Sequence, residues 1–157
     1  MISLQFPTYT FTTQEMPNGK VQIWDMVRRK YVALTPEEWV RQHVLHYLIT
    51  TKNVPKGLVS VEMPLVLHQQ AKRADVVLCD RQAMPLLMVE CKAPSVVLSQ
   101  AVLEQITRYN MVLQVPFWWI TNGLQHFIYH INYVDNNYTF LADIPTFGEM
   151  LQLDGRS

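Results

Sequence analysis

The segment Pro85-Leu-Leu-Met-Val-Glu-Cys-Lys92 constrains the fold more than any other stretch of the chain. It is apolar without alternation until Glu90 and Lys92 at its end. A strand wetted on one face alternates apolar and polar residues, whereas a continuous apolar strand belongs inside a sheet covered on both faces. The chain must therefore build layers, with a sheet between helices.

The same strand poses a problem of charge. Side chains alternate along a strand, so Glu90 and Lys92 point to one face and Cys91 to the other, with Leu87 and Val89. Buried unpaired charge is costly, so this pair needs each other, a metal or solvent at the sheet margin. Ala74-Asp-Val-Val-Leu-Cys79 reads as the preceding strand, joined through the polar turn Asp80-Arg-Gln-Ala-Met84. So short a hairpin brings Asp75 beside Glu90. Two carboxylates and an ammonium on one edge suit metal-assisted phosphodiester hydrolysis. Magnesium or manganese takes oxygen ligands, polarises a phosphate and acidifies a bound water. The lysine can orient that water or stabilise charge developing on the phosphate. The backbone carbonyl of Cys91 offers a further ligand.

The remaining elements fit around this strand. Thr35-Pro-Glu-Glu38 starts a helix, with Thr35 as cap, Pro36 in the first turn and Glu38 completing a capping box. Val40, Val44, Tyr47 and Leu48 continue it at helical spacing to about Thr51. Leu58 to Leu67 reads as a strand that Pro64 places at an edge or bulge. Ser99 to Val115 reads as a second helix, and Phe117 to Thr121 as another buried strand. Asn122-Gly123 and Asn136-Asn137 mark turns around strands Gln125 to Tyr133 and Tyr138 to Leu141. Val21 to Trp24 and Arg28 to Leu34 suggest a hairpin turning near Asp25-Met26. A short helix is expected after Asp143. The fold class is α/β, a mixed sheet with the order α-β-β-β-α-β and extra hairpin strands.

Composition excludes several classes. At 49% hydrophobic the chain is no disordered tail, and no apolar run is long enough to cross a bilayer. The N-terminus lacks the pattern of a secretory signal. Cys79 and Cys91 lie in apolar runs, which suits reduced thiols in a cytoplasm. A formal net charge of zero argues against coating nucleic acid by bulk charge, but not against a local basic cleft. His43 and His46, and His126 and His130, lack partners at zinc spacing, so no zinc site is expected. Trp118 and Trp119 invite base stacking, but their strand reads as core. Ser95 and Ser99 have no nucleophile-elbow context, and no phosphate-binding loop of a motor is present.

Asp75, a spacer, then Glu90-Cys91-Lys92 resembles the PD-(D/E)xK nuclease signature. Thr35-Pro-Glu-Glu-Trp-Val-Arg-Gln42, Arg73-Ala-Asp-Val-Val77, Val89-Glu-Cys-Lys-Ala-Pro94, Gln105-Ile-Thr-Arg-Tyr109 and Thr121-Asn-Gly123 occur in order. That set resembles the N-terminal nuclease domain of type I restriction enzyme R subunits in a small stand-alone form, from Thr35 to Tyr133. The resemblance implies a restriction-endonuclease-like core over residues 35–133, with an N-terminal extension over 1–34 and a C-terminal strand and tail over 134–157. It implies metal binding by Asp75 and Glu90, catalysis by Lys92, and a Q-x-x-x-Y helix carrying Gln105 and Tyr109 toward the metal site or the DNA backbone. Glu37, four residues before Arg41 in an E-x-x-x-R pattern, is the expected first-helix acid, and Arg41 and Tyr109 are expected beside substrate. Arg73 either contacts phosphate or pairs with a carboxylate; Lys72 is expected to be solvated. DNA, a restriction or DNA-processing system, and a motor or modification subunit or a second copy are the implied partners. Ala74 stands where the family usually has proline. Two rival readings are a catalytically silent binding module of the same fold, and a structural subunit docking through the N-terminal hairpin.

Overall fold

The computed structural model describes residues 1–67 and 70–156, and their side chains except those of 65–67, 70–72 and 109. Three antiparallel strands open the chain: β1 (Thr13–Glu15), β2 (Val21–Asp25) and β3 (Lys30–Ala33). The expected hairpin is therefore β2–β3, widened by β1, which has no periodicity to announce it because all of its residues are exposed. Arg28 lies in the turn and not in a strand, since its backbone N–H and side chain both bond to Asp25.

Helix α1 (Pro36–His46) follows and runs into a wider π-helical turn over Tyr47–Thr51. The Thr35 hydroxyl accepts the Glu38 N–H at 3.1 Å, as expected of the cap. The reciprocal half of the capping box is absent. The Glu38 carboxylate turns instead to Arg28 and Arg41, both at 2.8 Å. Charge-assisted bonds of this kind are stronger than a bond to a neutral backbone N–H.

A second sheet carries the rest, in the order β4 (Val59–Leu67), β5 (Gln70–Cys79), β6 (Pro85–Cys91), β7 (Phe117–Thr121), β8 (His126–Asn132) and β9 (Asn137–Leu141). Among the described residues only the β6–β7 pairing is parallel, bridged by helix α2 (Gln100–Asn110). A 3-10 turn over Met111–Leu113 continues α2 less far than the expected helix. Helix α3 (Phe147–Leu153) is the short helix expected after Asp143. Pro64 lies on the edge strand β4, where a missing donor costs least.

The continuous apolar run of β6 is explained by what covers it. Leu87, Val89 and Cys91 pack with Val40 and Val44 of α1, Leu48 of the π-helical turn and Met150 of α3. Met88 packs on the other face with Trp118, Ile120 and residues of α2. Trp118 and Trp119 are fully or almost fully buried in these two cores, as their strand suggested. Cys79 and Cys91 are free thiols, the former only partly buried. No helix among the described residues is long and apolar enough to cross a membrane.

Gly123 closes the β7–β8 turn at φ +85°, and a Cβ there would stand 2.9 Å from Leu4 Cδ2 and 3.1 Å from Val40 Cγ2. Gly123→Ala is expected to destabilise the fold by about 1–3 kcal/mol through backbone strain and crowding. Urea unfolding of parent and variant checks this; an unchanged midpoint would contradict it.

Candidate active site

The site forms where the β4–β5 ladder is interrupted. Val61 pairs with Val76 and Met63 with Ala74, but the intervening Glu62 and Asp75 are not paired. Val61 and Val76 belong to the α1 side of the sheet, Met63 and Ala74 to the α2 side. Both strands thus change face at one level, and Glu62 absorbs the change at φ 53°. Such irregularities re-aim a side chain, here the Asp75 carboxylate at the crossing. Its Oδ2 accepts the Cys91 N–H at 2.8 Å and its Oδ1 accepts Arg41 Nη2 at 3.2 Å.

Glu90 pairs in register with Ile120 and so lies on the α2 side, while Cys91 packs on the α1 side. The Lys92 N–H donates to the Thr121 carbonyl at 2.8 Å, extending the β6–β7 pairing by a step. Lys92 Nζ lies 4.0 Å from Glu90 Oε2, with 38% of the lysine side chain exposed. Glu37 is the more open acid of α1, with 47% of its side chain exposed and its Oε1 3.2 Å from Arg41 Nη2. Glu38 is buried and committed to Arg28, Arg41 and Gln42.

Arg41 differs from its expected place beside substrate. Its side chain is buried and its guanidinium is spread over Glu37, Glu38 and Asp75. Burial penalises its charge, but the facing Glu38 and Asp75 carboxylates outweigh that penalty and hold its pKa above the usual arginine value. Arg73 is largely exposed and lies 3.5 Å from Glu62, a residue the sequence reading did not single out. Glu62 also comes within 3.8 Å of Arg28 and 3.9 Å of Arg41. Only its ladder irregularity marks it, and that has no sequence signature. Gln105 is exposed on α2 and takes no part in the bonds that hold Asp75. The side chains of Tyr109 and Lys72 lie outside the described residues.

Burial, with the fields of Glu90 and Glu37, pushes the Asp75 carboxyl up to about 6, although the Cys91 N–H and Arg41 oppose the shift. Among the described residues no group of three or more His, Cys, Asp and Glu side chains could by itself hold a metal. A hydrated hard cation takes one or two carboxylates and retains several waters, so it does not require such a group.

A model of the type I restriction enzyme R protein N terminus matches residues 36–145. The chain belongs to that family. A solved structure assigned to an HsdR subunit fragment of a type I restriction enzyme from Vibrio vulnificus YJ016 shares the fold, with a TM-score of 0.53 at 23% identity. The match covers 78% of this chain and 26% of that one, so this R-protein N-terminal domain spans about a quarter of its structural relative. No curated protein matches the chain.

The raised Asp75 carboxyl makes a signed prediction. It binds its proton more tightly in the folded than in the unfolded chain. Its contribution to stability is therefore complete below about pH 4 and lost as the pH rises through about 6. Asp75→Asn removes this titration. The stability difference between parent and variant should shift against the parent by on the order of 2 kcal/mol between pH 4 and pH 7. Denaturant unfolding across that range, without divalent ions, reads the shift; parallel profiles would contradict it.

Proposed function

We propose that this domain is a metal-dependent nuclease that hydrolyses DNA phosphodiester bonds within a restriction or DNA-processing system. The observation that carries the reading is the half-buried Asp75 carboxyl, raised to about 6 by burial and the neighbouring Glu90 and Glu37. A protein that crowds carboxylates at a strand end beside an exposed lysine does so at a cost in stability. A function that requires a cation explains that cost.

In this reading the core is restriction-endonuclease-like, and its acids and lysine form a PD-(D/E)xK centre. Asp75 and Glu90 would hold Mg²⁺ or Mn²⁺, with the Cys91 carbonyl as a further oxygen donor. The ion would supply Lewis acidity toward the phosphate and lower the pKa of bound water. Lys92 would donate hydrogen bonds to that water or to the phosphate oxygens, where negative charge develops. Arg41 and the Cys91 N–H fix the Asp75 carboxylate, so that the acid need not reorganise during reaction. Glu37 stands at the open rim beside Arg41 and supplies a third acid on the solvent side. Gln105 and Tyr109 of α2, and Arg73 on β5, would meet the nucleic-acid backbone. A motor or modification subunit, or a second copy, would direct the cut.

A second reading draws on the same geometry. Both Asp75 oxygens accept bonds from the protein itself. A catalytically silent module that binds nucleic acid or protein would be built in this way.

Purified protein incubated with plasmid and short duplexes in magnesium separates the two. Glu90→Ala and Lys92→Ala should each lower cleavage by about 100-fold or more while leaving the circular dichroism spectrum unchanged. Cleavage by both variants at the parent rate would overturn the nuclease. DNA binding that is indifferent to magnesium and to Asp75→Asn, without cleavage, would favour the silent module.

A further inference from the structure

A cavity of about 520 Å³ opens between α2 and the outer strands β7, β8 and β9. Its lining includes Thr107 and Arg108 of α2, Phe127 and Tyr129 of β8, and Tyr138 and Phe140 of β9. None of these belongs to the candidate centre, yet the two adjoin. Glu90 pairs in register with Ile120, Ile120 pairs with Phe127, and both Ile120 and Phe127 line the cavity. Paired residues on neighbouring strands share a face and stand one strand spacing apart, about 4.8 Å. The cavity therefore begins at the cross-strand neighbour of Glu90.

Its chemistry is unusual for plain core. Tyr138 and Phe140 sit on the outermost strand, 58% and 63% exposed. Their rings meet edge-on, with centroids 5.4 Å apart and planes at 86°, and each also meets the Tyr129 ring edge-on, so none of the three is stacked on another. Inside, the Thr107 and Tyr129 hydroxyls lie 3.1 Å apart, a polar pair on an otherwise aromatic surface. Arg108 is exposed at the rim, while the nearby Glu104 accepts from Gln100.

We propose that this cavity is a subsite for an unpaired nucleobase of a DNA strand whose backbone runs past Glu90 and Lys92. The proposal rests on the nuclease reading and specifies its substrate as single-stranded, frayed or flapped DNA. A base offers a flat face to Phe140 and Tyr138, an edge with donors and acceptors to the Thr107–Tyr129 pair, and a phosphate on its own strand to Arg108. An aliphatic guest would desolvate those hydroxyls and return no hydrogen bonds. A base held within a duplex cannot enter, because it is stacked and paired. The buried Trp118 and Trp119 take no part; the stacking surface lies on β8 and β9 instead.

Fluorescence anisotropy of the full chain with labelled thymidine oligonucleotides, in EDTA at fixed salt, tests this. The parent should prefer single strand over duplex. Phe140→Ala and Tyr138→Ala, both at exposed positions, should each weaken single-strand binding by about 5- to 100-fold, and an abasic oligonucleotide should lose a similar factor. Unchanged single-strand binding in both variants, or equal parent affinity for duplex, overturns the proposal. So does a result in which the variants alter only the oligomeric state in sedimentation, which would make the aromatic edge a self-association surface. The assay needs neither metal nor cleavage, so its failure is distinguishable from failure of the nuclease reading.

Discussion

The Asp75 carboxylate, fixed between the Cys91 N–H and the Arg41 guanidinium, is the contact on which the rest of the arrangement depends. Arg41 is itself held by Glu38, Glu38 also binds Arg28, and Arg28 binds the fully buried Asp25, to which Gln42 donates as well. Ions removed from water are tolerated only when each is closely partnered, and removing one member leaves its partner exposed to the full desolvation penalty. The chain of charges therefore ties the β2–β3 turn, helix α1 and the crossing point of β5 into one unit. The family match begins at residue 36, but the residues that steady its first-helix charges reach back to Asp25.

The two faces of the large sheet divide the labour. The α1 face delivers the buried ionic scaffold that holds the Asp75 carboxylate at the crossing; the α2 face delivers Glu90 and the aromatic cavity. The strand end is the place where both are accessible at once. A carboxylate near the middle of β6 would have had to pair inside a dry core. At its end, Glu90 and Lys92 reach solvent while the backbone remains ordered by the pairing with β7. Burial above all, with the fields of Glu90 and Glu37, raises the Asp75 carboxyl at this strand end.

Much of the fold was legible because it follows from short-range patterns. The uninterrupted Leu86 to Val89 run specified a strand covered on both faces, and Thr35-Pro36 with Val40, Val44 and Leu48 specified α1 and its buried side. Asn122-Gly123 marked a turn whose positive φ glycine alone adopts readily. What stayed hidden involves partners distant in sequence. Nothing near Glu38 reveals that Arg28 will draw its carboxylate away from the helix cap. Nothing near Glu62 or Asp75 reveals that two strands change face together. β1 was silent because an exposed edge strand of three residues needs no apolar alternation. The order of the motifs made Glu37, Asp75, Glu90 and Lys92 readable as candidates, whereas the distinct places of Glu37 at the rim and Arg41 in the interior required the packing of α1 against the sheet.

The central claim is that the carboxylates at this strand end hold a divalent ion. Manganese binding followed by electron paramagnetic resonance at neutral pH tests it most directly, using the parent and Glu90→Gln. The account predicts that the parent takes up manganese and that magnesium displaces it. It also predicts that uptake falls as the pH drops below about 6, where Asp75 holds its proton, and that Glu90→Gln loses most of it. Manganese uptake by Glu90→Gln equal to that of the parent, or no uptake by the parent at all, would contradict the account.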